Sequence, residues 1–125
     1  MKFAVATLGL LLAAGAAFAH HSPIVFDRTR QVTLDGTVTE FRWGNPHSWI
    51  HIDVADADGK VANWSIEMDP ASHLARQGWR SSLLKPGDKI SVVVYPLRND
   101  EKGGQYRSIT LPDGKTLGQP ADGVL

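Results

Sequence analysis

The residues with the clearest metal-binding chemistry are two adjacent histidines, His20 and His21. They directly follow Ala17-Phe18-Ala19, a small-x-small pattern typical of signal-peptidase sites. Cleavage between Ala19 and His20 would give a mature chain whose first residue is histidine. Its α-amino group, which loses a proton far more readily than a lysine does, would form one chelate with the ring of the same residue. The sequence therefore predicts a transition-metal site, and copper is favoured because it heads the affinity order for nitrogen ligands.

A second histidine from the folded domain would complete a site of three nitrogens. His47 and His51 are the candidates, and in one straight strand they would lie roughly 13 Å apart, which prevents both from binding one ion. His47 is preferred because it stands where a loop becomes a strand and follows Pro46. Two alternatives stay open. His21 and the intervening amide can complete the site locally, or His47 can order its loop by bonding a backbone carbonyl.

Trp49 and His51 belong to a second set of candidates, which would bind an organic ligand. They alternate with the apolar Ile50 and Ile52, so we expect them on the outer face of a sheet. An exposed indole offers a stacking surface for sugars or rings. The alternative is that the amino-terminal arm covers Trp49, because large exposed aromatic side chains usually find cover.

Trp64 and Glu67 complete the candidate ligand-binding set. Glu67 is the one acid on its predicted strand, and it is expected either to pair with an arginine such as Arg76 or Arg80 or to line a site. The spacing places no second acid for a hydrolytic pair and no nucleophile with its base. An enzyme is therefore the least supported class of function.

Residues 1–19 have the form of a secretory signal peptide, with Lys2 followed by an apolar run that is short of the roughly 20 residues needed to span a bilayer. The prediction is a periplasmic or secreted bacterial protein without a stable membrane anchor. The chain contains no cysteine, which excludes thiolate zinc sites, iron–sulfur clusters and cysteine nucleophiles. The 106 residues that follow carry 12 basic and 13 acidic side chains, so the basic surface that nucleic-acid binding requires is missing.

Alternation of apolar residues predicts five strands, and the change of parity after Val38 predicts a bulge near Thr39-Glu40 in the first. Asp69-Pro70 is expected to start a helix capped by Asp69, and Gly78 to end it. Three strands, a helix and two strands predict an OB-like barrel, with a generic β-sandwich as the alternative. The predicted segments are the signal peptide 1–19, an arm 20–31, the barrel 32–117 and a loose tail 118–125. Within the barrel, the first strand is expected to start at residue 32 and the others to span 49–54, 61–68, 90–95 and 106–111. A glycine-rich loop is expected at 99–105.

The order and spacing of several short motifs closely resemble the small exported bacterial proteins of domain of unknown function family 6152. The resemblance covers essentially the whole mature chain and implies a periplasmic or secreted protein. It draws attention to His20, His21, His47, Trp64 and Glu67. The motifs are His20-His21-Ser22, Gly36-Thr37-Val38, Asn45-Pro46-His47, Trp64-Ser65-Ile66-Glu67, Gly78-Trp79 and Leu84-Lys85-Pro86-Gly87-Asp88.

Two functional hypotheses follow. In the first, His20 binds copper with help from His47 or His21, and the protein carries or buffers the metal, by analogy with histidine-brace copper proteins of a different fold. In the second, the Trp49 face holds a peptide, a glycan or a protein partner, and no metal is involved.

Overall fold

Residues 25–119 fold into a closed five-stranded barrel with one short helix. The computed structural model describes residues 25–119, so the predicted signal peptide and residues 20–24 of the predicted arm lie outside the described part. The elements in chain order are β1 (Val32–Arg42), β2 (Trp49–Ala55), β3 (Val61–Glu67), α1 (Ala71–Arg76), β4 (Lys89–Pro96), β5 (Gly103–Thr110) and β6 (Thr116–Gly118).

The pairing of the strands is that of an OB-fold. The sheet order is β3-β2-β1-β4-β5-β6, and β3 also pairs with β5, in parallel, which closes the first five strands into a barrel. α1 stands between β3 and β4, as in other OB barrels. The predicted fold is confirmed, and the β-sandwich alternative is not what the chain forms.

β1 is long and bent, and it pairs with two partners. Its first half lies against β4 and its second half against β2. At Gly36 a β-carbon would stand 2.7 Å from the carbonyl oxygen of Asp53, so only glycine allows this approach. The predicted bulge is confirmed, since the register with β2 shifts between Val38 and Glu40.

The inward faces of the strands form one apolar core. Ile50, Ile52 and Ile66 are fully buried, as alternation in β2 and β3 requires. Leu74 of α1 is also fully buried, and Trp79 packs back onto the same core directly after the helix. Gly78, with φ of +95°, ends the helix as predicted. Within residues 25–119, no helix has the length and apolarity needed to cross a membrane.

Three local predictions are wrong. In the described residues the Asp69 side chain makes no capping hydrogen bond, and Pro70 is the N-cap. β5 begins at Gly103 and not at Tyr106, because the glycine-rich segment pairs with both β3 and β4. Thr116–Gly118 forms β6 against β5, so the predicted start of a loose tail at residue 118 falls inside a strand.

Candidate functional site

The loop before β2 holds His47 in a fixed position. Ser48 is fully buried, and its hydroxyl donates to the carbonyl oxygen of Gly44 and accepts from the Gly44 N–H, both at 3.2 Å. The Ser48 backbone N–H donates to the carbonyl oxygen of Asp69 (3.2 Å), and the Met68 N–H donates to that of Ser48 (2.9 Å). The loop, whose Asn45–Pro46 peptide bond is cis, is therefore tied to the segment between β3 and α1.

His47 has one ring nitrogen engaged by the protein. Its Nδ1 lies 3.0 Å from the carbonyl oxygen of Met68. Because a carbonyl oxygen only accepts hydrogen bonds, this contact assigns the proton of the neutral ring to Nδ1 and leaves a lone pair on Nε2. The side chain is 43% exposed. An imidazole held in this way is typical of metal ligands, whose second nitrogen donates to a carbonyl or carboxylate. The loop-ordering bond to a backbone carbonyl that we considered as an alternative is present, and it leaves Nε2 available.

Glu67 stands beside the same imidazole. Its Oε1 lies 3.4 Å from Nδ1 of His47, and its side chain is only 9% exposed. Pairing with Arg76 or Arg80 is not found, and among residues 25–119 no lysine or arginine nitrogen lies within 4 Å of this carboxylate. The reason is the register of the β2–β3 hairpin, which places Glu67 opposite Trp49 on the outer face of the barrel.

Trp49 and His51 lie next to each other on β2, with their ring centroids 6.4 Å apart and their planes within 10° of parallel. Nδ1 of His51 is 3.0 Å from the hydroxyl oxygen of Ser65. Nε2 of His51 is buried and has no hydrogen-bond partner in the described part of the chain. His51 is therefore packed into the wall of the site, whereas His47 faces solvent.

Trp64 lies in a different place from the other candidates. It lies two residues before Ile66 on β3, so it is on the inner face of the strand and packs against the core. The ammonium of Lys102 stands 5.3 Å from its ring centroid. It lines a separate cavity of about 290 Å³ with Asp56 and Lys60 of the β2–β3 turn. The structure thus brings Trp49, His51, Glu67 and His47 into one region and leaves Trp64 outside it.

A groove runs along the seam between β3 and β5. It has a volume of about 360 Å³, and we call it the Trp49 groove. Glu67 lines this groove and also a small cavity of about 70 Å³ that is lined by His47 as well. The residues that line the Trp49 groove include Val25, Trp49, Ser65, Glu67, Leu97 and Gly103, together with the charged Glu101 and Lys102.

Sequence reasoning missed the contribution of Leu97 and Gly103 to this groove. The available signal was the pair Gly103-Gly104, since adjacent glycines in a strand mark a close backbone approach. At Gly103 a β-carbon would stand 2.7 Å from the Leu97 side chain and 3.1 Å from the carbonyl oxygen of Ser65. Glycine is therefore what allows the floor of the groove to form.

The described residues do not hold a complete metal site by themselves. Within residues 25–119 no group of three or more His, Asp or Glu side chains is arranged to hold a metal ion. His20 and His21, the first two predicted ligands, lie outside this range. A site of the predicted kind would therefore need ligands from residues that precede Val25.

The strand order, the parallel seam and the position of α1 define a small OB-type barrel protein. The chain belongs to the family described as a family of unknown function (DUF6152), whose model matches residues 8–106. No curated protein matches the sequence. A crystal structure of the mitochondrial single-stranded DNA-binding protein Rim1 from S. cerevisiae is similar, with a TM-score of 0.46 and 13% identity over 66% of this chain and 93% of that chain.

Proposed function

We propose that the mature protein, beginning at His20, is exported and binds a transition metal ion, with copper(II) as the preferred ion, which it carries or buffers. The observation that carries the proposal is the state of His47. Its Nδ1 is held by the Met68 carbonyl and faces the Glu67 carboxylate, while its exposed ring keeps Nε2 for an external ligand. A neutral imidazole oriented from behind in this way is pre-arranged to bind a metal.

In the proposal, the chain before Val25 brings the first ligand to His47. Val25 is the first described residue, and it lines the Trp49 groove together with Glu67, which in turn contacts His47. His20 precedes Val25 by five residues, a length that spans up to about 17 Å when extended. The α-amino group and ring of His20 would supply two nitrogens and His47 the third, a donor set that copper(II) favours.

Glu67 would act on this site without binding the metal. A metal ion on Nε2 draws electron density from the ring and makes the Nδ1 proton a stronger donor. The Met68 carbonyl and the carboxylate of Glu67 are both placed to stabilise that proton. Outer partners of this kind typically change metal affinity by about 10- to 100-fold.

The experiment uses mature protein with an authentic amino terminus, checked by intact mass. Copper(II) is titrated into this protein, into a form with one glycine added before His20, and into His47→Ala. His73→Ala is the matched control, because His73 is exposed and its nearest acid is 4.0 Å away. The proposal predicts one tight equivalent of copper, weakened at least about 10-fold by the extension and by His47→Ala, and unchanged by His73→Ala.

The result that would overturn the proposal is equal affinity of the extended and authentic forms. Full affinity in His47→Ala would remove His47 from the site and assign the metal to the His20-His21 segment alone. Electron paramagnetic resonance gives an independent reading, because the number of coordinated nitrogens should fall by one in His47→Ala.

A further inference from the structure

We infer that residues 20–24 of the mature chain occupy the Trp49 groove and lead the amino terminus to His47. The inference deepens the proposed function and rests on the same processing at His20. It concerns the metal-free protein, so it can fail or hold independently of copper binding.

The chain enters the groove from an anchored position. Phe26 is buried and forms a β-bridge with Leu97. The Arg98 N–H donates to the carbonyl oxygen of Val25 (2.9 Å), and the Asp27 N–H donates to that of Pro96 (2.8 Å). The arm is therefore attached by an isolated β-bridge just beyond the end of β4, beside the groove.

The length of the arm matches the width of the groove. From Gly103 on β5 the groove crosses Ser65 and Glu67 on β3 and reaches Trp49 on β2. Strand neighbours are about 4.8 Å apart, so this crossing is about 10 Å. Nδ1 of His47 lies 3.4 Å from Oε1 of Glu67. Five extended residues span about 17 Å, which is enough to cross the groove and place the terminus beside Glu67.

Three features of the arm match residues that line the groove. Ile24 is next to the anchored Val25 and meets the apolar end formed with Leu97. Pro23 lacks an N–H that would need a partner and suits an aromatic surface such as Trp49. The terminal amine, which is positively charged when protonated, reaches the buried carboxylate of Glu67. No lysine or arginine of residues 25–119 pairs with that carboxylate.

The test exploits the absence of cysteine from the chain. Ser22→Cys gives a single attachment site for a nitroxide spin label in the arm of the mature, full-length protein. Amide and indole NMR signals are recorded with chelator present, so that no metal contributes. The expected result is selective broadening of the Trp49 indole and of the Gly103 and Gly104 amides. The control is Asp113→Cys, which carries the label in the turn between β5 and β6, at the end of β5 opposite to Gly103, and should leave those three signals sharp.

A second variant shows whether contact depends on the arm's own side chains. Adding Ile24→Asp to the Ser22→Cys protein should reduce the broadening at Trp49, whereas Ile24→Val should preserve it. Weak broadening spread over the whole surface would overturn the inference. The inference would also be overturned if a free peptide or glycan bound in the Trp49 groove and displaced the arm. Docking without copper binding would overturn the proposed function alone, and copper binding without docking would overturn this inference alone.

Discussion

Replacing Ser48 by alanine is expected to loosen the loop that presents His47. The Ser48 hydroxyl joins both backbone groups of Gly44, and its removal breaks two hydrogen bonds of 3.2 Å. The two ends of the loop would not be affected equally. The Gly44 carbonyl keeps a second partner, because the Ala71 N–H also donates to it at 3.0 Å. The Gly44 N–H has the Ser48 hydroxyl as its described acceptor and would be left without it.

The size of the effect follows from these contacts. A lost hydrogen bond costs about 1 kcal/mol net where the remaining group keeps a partner, as the Gly44 carbonyl does, and about 1–3 kcal/mol where a buried N–H is left unsatisfied. Gly44 is only half-buried, so water can recover part of that penalty. We therefore expect Ser48→Ala to lower the free energy of unfolding by about 2 kcal/mol. For a domain of this size the melting temperature should fall by about 10 °C.

Urea denaturation followed by circular dichroism measures this loss. Ser81→Ala is the matched control, since Ser81 is exposed in the loop after α1 and its replacement should change stability by less than about 0.5 kcal/mol. The reasoning also predicts that Ser48→Ala weakens copper binding, because the His47 backbone is no longer held. If Ser48→Ala unfolds at the same urea concentration as the parent, the loop is held by its backbone bonds and our account of Ser48 is wrong.

Two further predictions concern the barrel itself. Burial raises the pKa of Tyr106 to about 12, so its stabilising contribution is complete below the unfolded value near 10 and is lost as pH rises towards 12. Relative to Tyr106→Phe, the parent should lose about 1 kcal/mol of unfolding free energy between pH 9 and 11, and a constant difference would contradict this. Gly104→Ala places a β-carbon 2.7 Å from the carbonyl oxygen of Tyr95 and should cost about 1–3 kcal/mol in urea denaturation. Gly44→Ala, where nothing described lies within 4 Å of the added carbon, should be nearly neutral, and equal losses would refute the close packing at Gly104.

The main elements of the barrel were predictable because apolar and polar residues alternate along the strands, and this alternation matches the alternation of buried and exposed side chains. The change of parity after Val38 correctly predicted the bulge in β1. The start of β5 was not predictable in the same way. Gly103 and Gly104 have low strand propensity, and only their pairing with β3 and β4 makes them a strand. The composition of this segment indicated a loop, but its pairing with two distant strands makes it part of β5.

The site was only partly readable from the sequence. The position of the turn fixes the register of the β2–β3 hairpin, and this register pairs Trp49 with Glu67. The pairing could therefore be derived from the sequence. The orientation of the His47 ring could not be derived. It depends on the Met68 carbonyl and on the bonds of Ser48 to Gly44, which form only when the loop packs against the segment before α1.

The parallel pairing of β3 with β5 determines when the region around Glu67 can exist at all. Ser65 and Gly103, which begin this pairing, are 38 residues apart in the chain, whereas the β2–β3 hairpin forms from neighbouring residues. Distant contacts carry a larger entropic cost of chain closure, so the hairpin is expected to assemble early and the parallel pair late. Glu67 acquires its sheltered position only at that final stage. A half-assembled polypeptide therefore lacks the organised surface around Glu67 and Trp49, which arises together with the completed barrel.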